Sequence, residues 1–442
     1  MKAFYLIGVI LIILGLQGCV KNPSGPKLSF QDSSLRDLKL FPQNISAYLS
    51  NFEEREVLLG VQENYDKKYF APWNYTKTPM SKSKIMWPYS SYTYDKSFGE
   101  NLKPLDKKWF IDMKNKGNYD EYGCLNAKAI SLSYLDLRNF PTHKPVFKDP
   151  SQAGEGFPFD YMQNSGVHAN EPLFVSHLST DGKWAYVFTA YAAGWVDKKG
   201  IVFLDEKVIK SWQDARQIEL IDEFYSVKDI NNNFVFRSRV GMRLALVSVK
   251  KDYYIALAIT GGKDNTPIYK KVKIPFAVAK EGKLILNAKN MEYIVKLMLK
   301  SHYSWGGLYE ERDCSSTLRD LYAPFGIWLP RNSSEQSKIG KVISLKNLSI
   351  EEKKKTIIDK AIPFETLLYK KGHILLYLGV YKGEITVLHN VWGIKTMHNG
   401  VEGRNIIGRT IISSLELGKE SEGYNPDKAI LARLSSMNIL TQ

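Results

Sequence analysis

The stretch from Tyr303 to Gly326 (YSWGGLYEERDCSSTLRDLYAPFG) puts a cysteine, Cys314, just ahead of Leu318, Leu321, Tyr322 and Phe325, which recur at helical spacing. A thiol at a helix start faces unpaired backbone N–H groups and the positive end of the helix dipole. Both favour its anion and predict a pKa below the usual value of about 8.5. Ser315 or Ser316 offers a hydroxyl to cap the same helix. The plainer role for a free cysteine is a buried, inert one, but histidine placement favours chemistry. His373 stands in Gly372-His373-Ile374-Leu375-Leu376-Tyr377-Leu378-Gly379 and His389 in Ile385-Thr386-Val387-Leu388-His389-Asn390, two runs that read as successive strands. Their midpoint falls at the Tyr381-Lys382-Gly383 turn, so the two rings are expected to face each other directly, with Cβ atoms roughly 4.5 to 5.5 Å apart. One ring can then serve as base and the other orient it, which is the logic of nucleophile, base and orienter. A cysteine with two histidines can also hold zinc. Adjacent Asp313 and Cys314 point differently, however, and no second cysteine is near, so neither metal nor other cofactor is expected.

These elements come late in a chain of 442 residues, which at about 150 residues per domain suggests three folded units. A hydrophobic share of 44% and an aromatic share of 12% exclude disorder as the main state. Three cysteines (Cys19, Cys124, Cys314) are too few for a disulfide scaffold or a four-cysteine zinc site. Cys124, with no basic neighbour or helix start, reads as structural. The net charge of +15 favours an anionic neighbour: nucleic acid, membrane headgroups or wall polymer. At the front, Lys2 precedes an uncharged apolar run from Ala3 to Leu16, shorter than the roughly 20 residues of a membrane-spanning helix. Leu16-Gln17-Gly18-Cys19 follows and resembles the bacterial lipoprotein box, which implies a signal peptide over 1–18 and acylation at Cys19. Export excludes nucleic acid as a partner. The absence of aspartate after Cys19 favours the periplasmic side of the outer membrane if the organism has two membranes, and Val20 to Lys27 reads as a flexible tether.

Ile45, Tyr48, Leu49 and Phe52 follow helical spacing behind a candidate N-cap at Asn44. Ala71 to Tyr122, rich in Pro, Lys, Ser and aromatics without a sustained period, predicts an irregular clip clasping other domains. Short β-like runs begin near Leu125. Pro172 to Leu178 and Trp184 to Ala190 flank an Asp181-Gly182 hairpin turn, and Phe234 to Arg237, Leu244 to Val249 and Tyr253 to Ile259 form a second set. Two consecutive small β-barrels account for them. Helical spacing returns from Ala288 with Ile294, Leu297 and Met298, and strands reappear near Ile374.

Tyr303-Ser304-Trp305-Gly306-Gly307, Asp313-Cys314-Ser315, Gly372-His373 and His389, in that order, resemble the NlpC-type branch of the papain-like cell-wall cysteine peptidases. The match covers about Ala288 to Gln442. Upstream, Asp136 to Thr142, Phe159 to Ser165 and Gly194-Trp195-Val196 resemble the first of two bacterial SH3-like domains in a subgroup that also carries an N-terminal clip. The resemblance implies a multidomain α+β fold: tether and clip over 19–124, SH3-like barrels over 125–203 and 204–287, and a papain-like α+β catalytic domain over 288–442. It implies cleavage of peptidoglycan stem peptides, mostly between γ-D-glutamate and a diamino acid such as diaminopimelate. Cys314 then acts as nucleophile, His373 as base and His389 as orienter. The helix-start N–H groups and the Tyr303 hydroxyl would serve the oxyanion, with Asp313, Ser315, Asn332 and Ser333 on the substrate side. Arg331-Asn332-Ser333 departs from the Arg-Asp-Ser of relatives that process free peptides, where the acid lies near the amine of a terminal L-alanine. A neutral amide cannot form the charge-assisted bond that rewards a free terminal amine, so sugar-attached stems gain over trimmed peptides.

Some assignments have plainer rivals. His302 competes with Tyr303, and capping competes with substrate contact at Asp313, Ser315 and Ser333. Tyr191, Trp184 and Trp195 are candidates for a cleft wall, though core packing is the simpler role. Glu351 to Lys355 reads as a solvated helix face. Alternative functions are a non-catalytic peptidoglycan-binding lipoprotein and an amidase cutting N-acetylmuramoyl-L-alanine. The expected partners are peptidoglycan peptides and a membrane reached through the lipid anchor, with the protein a monomer.

Overall fold

The computed structural model describes residues 35–53 and 59–441. The expected signal peptide, Cys19 and the tether lie outside the described residues. The clip begins on the helix α1 (Arg36–Leu40) and a 3₁₀ turn, Ile45–Asn51, whose N-cap is Asn44, its side chain accepting the Ser46 N–H at 3.2 Å. The expected helix is thus a tighter one, in which Ile45 and Tyr48 stand one turn apart and are fully buried. Short helices follow: α2 (Leu59–Tyr69), α3 (Ala71–Asn74), α4 (Lys82–Ile85), α5 (Trp87–Ser91) and α6 (Lys107–Lys116). The segment expected to be irregular therefore holds α3, α4 and α5, of four or five residues each and too short to show a period in sequence, and the longer α6 of ten residues.

The clip's elements carry apolar anchors into three cores. Phe41, Ile45 and Tyr48 sit among Leu318, Leu321 and Phe364; Tyr65, Tyr69, Phe70 and Trp73 enter the second barrel; Ile85 and Tyr119 join Trp184 and Trp195 in the first. Each fully buried Phe or Ile is worth roughly 1.5–3 kcal/mol, so the clip ties the units together along its length.

The first barrel is an antiparallel sheet of β1 (Ala127–Ser131), β2 (Leu135–Arg138), β3 (Gln163–Val167), β4 (Pro172–Leu178), β5 (Trp184–Phe188), β6 (Ala193–Asp197) and β7 (Ile201–Phe203), ordered β3-β2-β6-β5-β4-β1-β7. Asp181-Gly182 makes the β4–β5 turn, as its sequence predicts. After α7 (Glu206–Asp214), the second sheet is built from β8 (Gln217–Leu220), β9 (Ser226–Asp229), β10 (Phe234–Arg237), β11 (Arg243–Val249), β12 (Tyr253–Gly261), β13 (Pro267–Pro275) and β14 (Ala279–Glu281). Its order is β10-β9-β13-β12-β11-β8-β14.

The α+β unit starts with α8 (Ala288–Met298) and α9 (Cys314–Tyr322), followed by α10 (Ser333–Gln336), β15 (Lys341–Ser344) and α11 (Ile350–Lys360). Next come β16 (Thr366–Lys370), β17 (His373–Tyr381), β18 (Glu384–His398), β19 (Val401–Ser414), α12 (Ile430–Arg433) and β20 (Ser436–Ile439). The sheet runs β15-β20-β16-β17-β18-β19, with α9 packed on β17 and β18. This is the multidomain α+β architecture anticipated from the sequence. Trp195 and Trp184 are core residues of the first barrel, 0% and 5% exposed, not cleft walls. Cys124 is exposed rather than a core residue. In α11, Lys353 is buried and donates to the Ala432 carbonyl, while its neighbours face solvent.

Candidate active site

Cys314 opens α9, and Asp313 is the N-cap. The Asp313 carboxylate accepts the Ser316 N–H at 2.9 Å while the Ser316 hydroxyl accepts the Asp313 N–H at 2.9 Å, a reciprocal capping box. Arg331 grips the same carboxylate through two nitrogens at 2.7 and 3.1 Å and also donates to the Ser315 hydroxyl at 3.0 Å and the Ser165 hydroxyl of the first barrel at 2.8 Å. Burial pushes the Asp313 carboxyl up, but Arg331 and the cap hold it below its ordinary range. Asp313 and Ser315 thus set the helix start, the plainer of the two roles weighed for them.

The thiol departs from expectation. Burial first, and then the Asp313 carboxylate, push Cys314 up to about 12, outweighing the Ile374 and Ser315 backbone N–H groups and Arg331, which pull it down. The dipole of one helix start is too small to offset removal from water. Ile374 is the residue after His373, so this amide belongs to the start of β17, next to the histidine.

His373 Nε2 lies 2.8 Å from His389 Nδ1, and His389 Nε2 lies 2.9 Å from the Ser413 hydroxyl, which itself donates to the Ser414 carbonyl at 2.9 Å. The rings are not directly opposed. Lys382 and Gly383 alone form the turn, with Tyr381 paired to Glu384, and the register slips by one at Leu378. His373 therefore sits diagonally from His389 on one face, and the ring centroids are 5.1 Å apart. Burial, then His389 and Lys370, hold His373 well below 6.5; burial, then Lys370, bring His389 to about 3. Both rings are neutral at pH 7.

Cys314, His373 and Tyr303 line one cleft. Its far wall is the arm of β18 and β19 (Trp392, Lys395, Arg404), and the first barrel closes one side with Phe159, whose ring lies 5.5 to 6.4 Å from those of Trp305, Trp392 and Tyr303. Tyr303 is held by its N–H to the Gly408 carbonyl at 2.8 Å, whereas His302 is exposed beside Glu311. Asn332 and Ser333, at the start of α10, do not line this cleft among the described residues. Tyr191 lies instead at the buried domain junction, under the Arg319 guanidinium and bonded to Glu171 at 3.0 Å. Ser413 and Phe159 escaped the sequence reading of the site. The Phe159 string marked only a barrel, and a serine on the strand after His389 carries no local signature. Among the described residues no group of three or more His, Cys, Asp or Glu is placed to hold a metal ion.

The Gly-Gly pair upstream has a docking role. Gly306 and Gly307 adopt φ +63° and +88°, and a Cβ on Gly306 would stand 2.6 Å from the Gln163 carbonyl of β3. The Tyr134 hydroxyl donates to the Gly307 carbonyl at 2.5 Å.

Comparison with known proteins agrees with this organisation. Residues 300–408 match the NlpC/P60 family, residues 145–197 an SH3 domain of the SH3b1 type, and residues 5–122 the N-terminal NLPC_P60 stabilising domain. No curated protein matches the chain. Among solved structures, a novel NlpC/P60 endopeptidase from Photobacterium damselae subsp. piscicida shares the fold at a TM-score of 0.77 and 22% identity, over 91% of this chain and 97% of that one. An NlpC/P60 family protein from Bacillus cereus ATCC 10987 gives 0.46 at 13% identity, over 72% and 100% respectively. Clip, SH3-type barrel and the domain that holds Cys314, His373 and His389 follow one another as the three matches do, and the chain belongs to the NlpC/P60 family.

Proposed function

We propose that the protein is a cysteine endopeptidase that hydrolyses peptidoglycan stem peptides at the bond between γ-D-glutamate and a diamino acid such as diaminopimelate. The observation that carries this reading is the chain from His373 through His389 to Ser413, opening onto the cleft lined by Cys314. Proton positions follow along it. The Ser414 carbonyl only accepts, so the Ser413 hydroxyl donates to it and accepts from His389 Nε2–H. His389 Nδ1 then bears the lone pair that receives His373 Nε2–H. His373 Nδ1 is left as the free base.

In this mechanism Cys314 is the nucleophile. Because thiol and ring are both neutral at rest, the proton moves to His373 Nδ1 as Sγ attacks the γ-glutamyl carbonyl. The N–H groups at the start of α9, with Tyr303 beside them, stabilise the oxyanion. His373 passes the proton to the departing amine, leaving a thioester. Water, deprotonated by His373, then releases the acid and restores the thiol. Export by a signal peptide, acylation of Cys19 and residence on the periplasmic side of an outer membrane complete the reading, with sugar-attached stems as substrates in view of Asn332.

Digestion of sacculi and soluble muropeptides by the mature protein and its Cys314→Ala variant, read by mass spectrometry, tests it. Wild type should release stems cut at the γ-glutamyl bond and the variant none. Identical products from both would end the enzymatic reading.

A further inference from the structure

Of the four cations that line the cleft, Lys370 and Lys428 form no ion pair among the described residues, and only Lys370 is drawn partly out of water, Lys428 being exposed. Lys370 ends β16, and the β16–β17 register pairs it directly with His373, so the two side chains leave one face of the hairpin. Both line the cleft with Cys314, and the ammonium lies near enough to the thiol and both imidazoles for each to feel its charge. Lys370 is partly buried, and among the described residues nothing accepts a hydrogen bond from its ammonium or forms an ion pair with it. Arg433 adds further positive charge nearby. By contrast, Lys395 and Arg404 in the same cleft are both paired with Glu402.

Drawing an ammonium from water with no partner is unfavourable. This one also opposes the imidazolium that must form on His373 during acyl transfer. An anion docked in the cleft relieves both penalties. From this geometry we propose that Lys370 is the specificity residue of the cleft, its ammonium binding a substrate carboxylate that flanks the scissile amide. The proposal rests on the hydrolase reading and deepens it: substrate binding itself removes the charge that disfavours a protonated His373. Two carboxylates can supply the chemistry, that of the glutamyl residue on the acyl side and that of the diamino acid on the amine side.

Three muropeptides test it: one with both carboxylates free, one with the glutamyl carboxylate amidated, one with the neighbouring diamino-acid carboxylate amidated. Wild type should cut one amidated form about 10- to 100-fold less efficiently in kcat/KM, the value of a charge-assisted hydrogen bond. Lys370→Gln should cut that form and the free acid alike, and Lys370→Arg should restore the preference. The amidated form that loses activity names the carboxylate. No preference in wild type, or a preference that survives in Lys370→Gln, overturns the proposal. Binding of the same peptides to Cys314→Ala, with and without Lys370→Gln, separates it from the enzymatic reading. Should wild type cut none of them, that reading falls. Carboxylate-dependent binding abolished by Lys370→Gln would still uphold the lysine's role, and unchanged binding would refute it.

Discussion

Ser413 shows how much a single hydroxyl can decide. Its acceptor role toward His389 Nε2–H fixes which nitrogen of His373 is left free, so the tautomer of the base is set by a residue that touches neither Cys314 nor the cleft. Replacing it with alanine leaves a buried imidazole N–H unpartnered, and His389, 1% exposed, gains no water in exchange. Ser413→Ala is therefore expected to lower kcat about 5- to 10-fold, the cost of one lost hydrogen bond near 1 kcal/mol, with KM unchanged. Steady-state kinetics on a soluble muropeptide measures the split, and an altered KM with intact kcat would contradict the tautomer argument. At this scale the sequence was legible where residue type and chemistry coincide: Cys314, His373 and His389 stand out by kind and spacing. Ser413 follows His389 by 24 positions in an Ile-Ile-Ser-Ser run on the neighbouring strand, and only the β18–β19 register brings it under the ring. The thiol's own poise was misjudged because burial, which dominates it, is a property of the fold and not of the helix start.

At the scale of elements, the histidine hairpin was readable as two strands and a turn, but its register was not. Symmetry about Tyr381 assumes an unbroken ladder; the irregularity at Leu378 and the two-residue turn displace it, and ring length rather than strand pairing closes the gap. Between Ala71 and Ser91 the clip was legible only as composition, since its helices there, of four or five residues, lack the length to show a period. The Gly-Gly loop makes a sharper case. Its motif pointed to a family, yet what it does physically is let β3 approach. Gly306→Ala must place an L-residue at φ +63° against a backbone carbonyl that cannot swing aside, so it should cost roughly 2–4 kcal/mol, a left-handed alanine plus overpacking. Gly282→Ala, at φ +68° with nothing within 4 Å, should cost only about 1–2 kcal/mol. Urea unfolding of both variants checks the difference. Equal losses would show that backbone conformation alone, not barrel docking, selects the glycine.

Across the whole molecule, buried guanidiniums tie the cysteine helix to both barrels, to a hydroxyl of the first and a carboxylate of the second. Arg331 reaches from Asp313 to Ser165 of the first barrel. On the other side Arg312, the residue before Asp313, donates to Glu223 of the second barrel at 2.7 and 3.2 Å and to Asp320 of α9 at 2.8 Å, while Arg239 donates to Glu223 at 2.7 Å. Burial alone would push the Glu223 carboxyl up, but the guanidiniums of Arg312 and Arg239 together bring it down to about 2, against 4.5 for a free glutamate. A carboxylate with a depressed folded-state pKa contributes stability that is complete above the unfolded value and disappears as pH falls through the folded one. Glu223 should thus contribute about 3 kcal/mol at neutral pH and lose it between pH 4.5 and 2. Glu223→Gln should be less stable than wild type by about 3 kcal/mol or more at pH 7, since two buried guanidiniums lose their counter-charge. The gap between variant and wild type should narrow as the pH is lowered toward 2, because protonation makes the native side chain neutral as well. Denaturant unfolding at pH 7, 4 and 3 follows that convergence. A gap independent of pH would mean that Glu223 acts by shape alone and that the second barrel holds the Cys314 helix without charge.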